Sequence, residues 1–277
     1  MRIAESMSPA AAVSINVRRE TMSMFLLALN GFVSKLATIC QKHVTPNHAR
    51  LTALRCLSNT NQAATQSQNM YPSPTVSHRR ADMAVHALGI SAILIAGVIL
   101  LIKASNTLSI PLILACLTYV ICALISNQAS CFYHFAPWHA KRTLLRRIDH
   151  AAIYISITGM FTPLLVQAGT TRTYIILALC WVLAIMAIWN KITNSEIKSK
   201  WSTASYLALG AIGLLALPDL TDVPSITPKL ILAGSAAYAI GTIFYARKTL
   251  PFRYAIWHSW VTIGGMFMFT GIWLALF

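Results

Sequence analysis

Apolar runs of 16 to 23 residues recur from Met83 to the C-terminus, separated by short polar breaks. None alternates apolar and polar positions with the period of two that a half-buried strand would need. A backbone in lipid must satisfy its own polar groups, and a continuous apolar run does so as a helix. The pattern predicts an all-α integral membrane bundle of seven transmembrane helices, over 83–102, 108–126, 148–166, 174–189, 202–217, 230–246 and 255–277. Pro111, Pro218, Pro228 and Pro251 fall at or near the ends of these runs. Pro111 sits in a first turn, where its missing N–H costs little. Pro163 lies inside the third run and predicts a kink there.

Composition sharpens this picture. Of 277 residues, 56% are apolar and 10% charged, with a mean hydropathy of +0.62. A water-facing domain of that size carries about 25% charged residues, so a soluble globular protein is excluded. The formal charge is +15. The basic residues are scattered through short loops and do not form one patch with interleaved aromatics, which argues against a nucleic-acid partner. They read as topology signals and contacts to lipid headgroups. Twelve Lys and Arg gather on one side of the predicted spans (for example Arg79, Lys141, Arg146, Lys191, Arg253), against Lys103, Arg172 and Lys229 on the other. This asymmetry predicts a cytoplasmic N-terminus and an outside C-terminus.

The chain divides into a basic, polar N-terminal extension over 1–79 and a seven-helix domain over 80–277. Residues 1–69 are rich in Ser, Thr, Ala, Asn and Gln, and the apolar stretch 22–33 is too short to span a bilayer. Three readings stand for this segment: a disordered or regulatory tail, an organellar transit peptide, or sequence upstream of a true start at Met70. Cys40, Cys56, Cys116, Cys122, Cys131 and Cys180 form no CxxC pair. They suggest neither a disulfide framework nor a cysteine metal site.

Ionisable side chains in membrane spans are costly and are candidates for function. His86 lies one turn into the first run; Ser130 and His134 follow the second; Asp149 and His150 open the third; His258 opens the seventh. By the predicted topology all lie at the same end of the bundle. If the second helix continues past its apolar run, Ser130 and His134 share a face. Imidazole with carboxylate suits zinc, and a catalytic zinc site needs about three protein ligands plus water. The competing reading puts these histidines at headgroup level and pairs Asp149 with Arg146 and Arg147.

Several stretches resemble a known family. Ser130-Cys-Phe-Tyr-His134 is similar to the SxxYH motif of the hemolysin III proteins, the bacterial branch of the PAQR family that includes the adiponectin and progestin receptors. So are Leu145-Arg-Arg-Ile-Asp-His-Ala-Ala-Ile-Tyr154, the run from Gly159 to Pro163, the Gly- and Ala-rich stretch 232–246, Pro251-Phe252, and Ala255-Ile-Trp-His258. His86 matches a first-span histidine, and the resemblance runs from about Arg80 to Phe277. It implies a seven-helix fold with the N-terminus inside. It also implies zinc held by histidines at the cytoplasmic end, with an aspartate and a serine nearby. His134 and His258 would be ligands, with Asp149 or His86 completing the set. Asp149 would serve as general base and Ser130 as its catalytic neighbour. The implied activity is zinc-dependent hydrolysis of lipid amide or ester bonds, with membrane lipids as partners and a lipid substrate, in a bacterial inner (plasma) membrane. The rival readings are a non-enzymatic sensor or regulator of lipid state and a cytolytic pore former. One departure bears on all of these: the seventh span of the family reads HxxxH, and here Tyr254 stands at the first position and Met268 where a later histidine would be.

Overall fold

The computed structural model describes residues 71–193 and 199–277. The segment read above as leader, tail or upstream sequence over 1–69 lies outside the described residues, as does 194–198. Each apolar run is a helix: α1 (Val76–Thr107), α2 (Ile110–Phe135), α3 (Arg142–Ala168), α4 (Thr171–Thr193), α5 (Ser199–Leu214), α6 (Ile226–Ala246) and α7 (Arg253–Leu276). Short 3-10 turns at His139–Lys141 and Leu217–Asp219 precede α3 and follow α5. There is no strand among the described residues. All seven helical segments are long and apolar enough to cross a membrane, α5 doing so together with its 3-10 extension. The protein is a multi-pass integral membrane protein.

Local chemistry sets the helix ends. The Thr75 side chain accepts from the His78 N–H and caps α1. Pro111 occupies the first turn of α2. Gly169 closes α3 in the left-handed conformation at φ 64°, where a Cβ would be strained. Helix α3 continues through Pro163, and the Thr162 hydroxyl bonds back to the Thr158 carbonyl one turn earlier.

Several helices run further than their apolar stretches, three of them toward the same end of the bundle. Helix α2 ends at Phe135 where the apolar pattern ends at 126; α1 begins at Val76 where it begins at 83; α3 begins at Arg142 where it begins at 148. In α1 and α2 the additional turns hold Asp82, Ser130 and His134, which lie buried inside the bundle, so hydropathy alone does not report them as membrane helix.

Helix α3 is the central element. In its most apolar stretch 61% of residues are buried, against 22–39% in the other six. It packs on α2, α4 and α5, while α6 pairs with α7, and α1 lies against α2 and α7. The α2–α3 approach is close: a Cβ on Gly159 would fall 2.4 Å from the Cys122 Cβ. The outer faces carry Leu88, Ile95, Ile110, Ile175 and Met186, all exposed, as lipid contact requires. The four described cysteines, Cys116, Cys122, Cys131 and Cys180, are free thiols, three of them buried.

Candidate functional site

Polar residues of α1, α2, α3 and α7 meet at one end of the bundle. Helix α1 brings Asp82 and His86, four residues apart and therefore on one face. Helix α2 brings Ser130 and His134 in the same register, and α7 brings Tyr254 and His258. Asp82 is fully buried, and His86, His134 and Ser130 are nearly so.

Asp82 is the hub. Its Oδ2 lies 2.7 Å from His134 Nδ1, and its Oδ1 lies 2.7 Å from His258 Nδ1. The Ser73 hydroxyl donates to Oδ2 at 3.4 Å. A carboxylate only accepts, so both imidazoles present Nδ1–H toward it. A buried charge costs several kcal/mol unless compensated. Two charge-assisted hydrogen bonds, each contributing roughly 1.5–3 kcal/mol, offset most of that cost.

His86 extends the network. Its Nδ1 is 2.9 Å from the Asp82 backbone carbonyl and 3.4 Å from Asp82 Oδ1; its Nε2 is 3.1 Å from Ser130 Oγ. Ser130 Oγ is also 3.4 Å from His258 Nε2. The serine therefore bridges two imidazoles. Ring centroids of His86 and His258 are 4.0 Å apart, and those of His134 and His258 are 4.9 Å apart.

One ligand atom each from Asp82, His134 and His258 lies within 4.8 Å of the others, so these three residues form a group able to hold a metal ion. One carboxylate and two imidazoles are a donor set that zinc accepts. His134 and His258 stand together, as the family resemblance implied. The carboxylate beside them is Asp82, where the sequence reading looked to Asp149 or His86. His86 lies next to the group and turns its Nε2 to Ser130. Asp149 lines the adjoining cavity from α3, within electrostatic reach of His134, His86 and Ser130. It makes no ion pair with Arg146 or Arg147; among the described residues only Asp82 and Asp219 form ion pairs. Tyr254, at the departed position, sets its ring at 81° to that of His134, with centroids 4.8 Å apart.

A cavity of about 320 Å³ leads from this cluster into the bundle. His86, Ser130, His134, Asp149, Tyr254 and His258 stand at its polar end, while Ile153, Ile157, Met160, Phe161, Leu207 and Leu214 line its depth. Its composition matches a ligand site of few polar groups on an apolar wall.

Residues 77–269 match the family described as Haemolysin-III related. The chain belongs to this family. It is 32% identical over 197 residues to the "Hemolysin-3 homolog" of Bacillus subtilis (strain 168), covering 70% of this chain and 92% of that protein. It is 32% identical over 193 residues to "Hemolysin-3" of Bacillus cereus, covering 68% and 87%. The human "Monocyte to macrophage differentiation factor" is 23% identical over 170 residues, covering 57% of this chain and 67% of that protein. The haemolysin-III match begins inside α1 just ahead of Asp82 and His86 and takes in every residue of the metal-capable group.

Asp82 is the residue that sequence reasoning missed. It stands one position before the first apolar run and reads as a headgroup-level acid. Its spacing was the available signal: Asp82 and His86 are one helical turn apart, and a helix entering the bundle at Val76 aims both inward.

Proposed function

We propose that this haemolysin-III related protein is a zinc-dependent hydrolase of lipid amide or ester bonds, with Asp82, His134 and His258 as the protein ligands. The observation that carries this reading is the grouping of three donors from three helices, two buried and one half-buried, at the head of an apolar cavity. Zinc bound there would supply a Lewis acid and a water whose pKa falls to about 7. The chain's own residues do the rest. Asp149, facing the cavity from α3, takes the proton of the attacking water as general base. Ser130 fixes the His86 and His258 rings through its hydroxyl. The apolar wall receives an acyl chain and keeps bulk water from the reacting carbonyl. Membrane lipids are the proposed partners, and a bacterial inner membrane, with the site at its cytoplasmic face, is the proposed location.

The test uses the full chain in liposomes containing acyl amide and acyl ester lipids. Hydrolysis should stop on chelation and return with zinc. Asp149→Asn should lower kcat by roughly 10²–10⁴ with little change in KM. Hydrolysis that is indifferent to chelation, or unchanged in Asp149→Asn, would sink the reading.

One observation favours a second reading. Asp82 already bonds both imidazoles directly at 2.7 Å, so the cluster is satisfied without an ion. On that reading the protein binds lipid without turnover and reports lipid state. Lipid binding with no product under any metal supply would favour it. The cytolytic role in the names of the Bacillus relatives would need a polar lining along the spans, and the depth of the cavity is apolar.

A further inference from the structure

The cavity has a second polar wall, opposite in character to the Asp82 cluster. Lys191, near the end of α4, is 8% exposed although it lies on a lipid-facing helix. A lysine near a span end ordinarily extends its ammonium outward to water. Here the side chain turns inward, and Nζ donates to Ser202 Oγ on α5 at 2.7 Å. Ser202 is itself 3% exposed and lines the cavity. Its oxygen accepts from the lysine, and among the described residues no acceptor takes its proton.

His150, on α3, lines the same wall and is 9% exposed. Its backbone carbonyl accepts from the Tyr206 hydroxyl at 2.9 Å, which ties α3 to α5 here. Its ring makes no hydrogen bond among the described residues. Arg146, one turn earlier on α3, is within electrostatic reach of both His150 and Lys191. No carboxylate among the described residues pairs with Lys191; the ion pairs involve Asp82 and Asp219 alone. Among the described residues the one partner of this buried ammonium is a neutral hydroxyl, which does not supply the counter-charge that such burial demands.

We propose that Ser202 and His150, with Lys191 behind Ser202, form an anion subsite in the cavity, which takes the carboxylate or phosphate headgroup of an acyl lipid. The headgroup oxygens accept from the Ser202 hydroxyl, polarised by Lys191, and from the His150 ring. The acyl chain lies along Ile157, Met160 and Leu207. A neutral lipid leaves the lysine uncompensated and is disfavoured. That this lipid is also the substrate rests on the hydrolase reading; the binding does not.

The experiment therefore measures binding alone, on full-length, chelator-treated protein in nanodiscs. Oleate, oleoyl lysophosphatidate, monoolein and inorganic phosphate each compete against a fluorescent fatty acid. Both anionic lipids should bind roughly ten- to a hundredfold more tightly than monoolein. Lys191→Met should erase that preference by weakening the anionic lipids and not monoolein, and Lys191→Arg should retain most of it. Ser202→Ala, which removes only a hydroxyl, should weaken the anionic lipids in the same direction. No anionic preference in the wild type, or a preference that survives both Lys191→Met and Ser202→Ala, overturns the subsite. Inorganic phosphate competing as well as lysophosphatidate overturns its assignment to a lipid. Because zinc is absent throughout, failure here is separate from failure of the hydrolase reading.

Discussion

At the scale of single residues, the site turns on an exchange between α1 and α7. The family pattern puts an imidazole one turn before His258; here Tyr254 holds that place, its ring edge-on to His134. A phenol is a poor zinc ligand near neutral pH because its proton leaves only near pH 10. Asp82 hydrogen-bonds the same two histidines from α1, and on the proposed reading it would supply the third donor. Tyr254→His would then add a fourth ligand to a set of three and close the position that water needs. One ligand's share of a zinc site is about 3 kcal/mol, so zinc affinity should rise about a hundredfold, while hydrolysis falls. Chelator competition reads the first effect and product release the second. Unchanged affinity would mean that position 254 does not face the ion.

At the scale of helices, close approaches hold the site in register. Gly159 sits where α3 meets α2, and a Cβ there would lie 2.4 Å from the Cys122 Cβ and 2.8 Å from its sulfur. Gly159→Ala must push apart the helices that carry Asp149 and His134, at about 1–3 kcal/mol. Gly210 of α5 has no atom within 4 Å of an added Cβ, and Gly210→Ala should be neutral or stabilise by up to about 1 kcal/mol. Thermal melts of the two variants should separate accordingly; equal shifts would contradict the packing described. The same scale explains what the sequence disclosed. All seven helices were legible, because apolar runs of bilayer length admit one backbone solution. Their site-bearing ends were not. Ser130, His134 and Asp82 are polar residues satisfied by one another inside the bundle, and a hydropathy pattern cannot distinguish them from a solvated loop. Sequence similarity pointed to His134, His258, Ser130 and Asp149, all of which line the cavity. It could not recover Asp82, whose partners are 52 and 176 residues away.

At the scale of the whole molecule, the fold gathers most of its rare charged side chains at one end of an apolar bundle and opens a cavity there. From the Lys and Arg asymmetry we propose that this end faces the cytoplasm. A cysteine placed at Asp222, in the α5–α6 connection, should be labelled by an impermeant reagent from outside, and labelling from the cytoplasm alone would reverse the orientation. The central claim is narrower: α1, α2 and α7 together hold one metal ion, and Asp82 is the donor that replaces the histidine absent at 254. Metal analysis of protein purified without chelator tests it most directly. The wild type should carry about one zinc per chain, and Asp82→Asn, which keeps the shape and removes the charge, should carry almost none. A metal-free wild type, or zinc retained in full by Asp82→Asn, would contradict it.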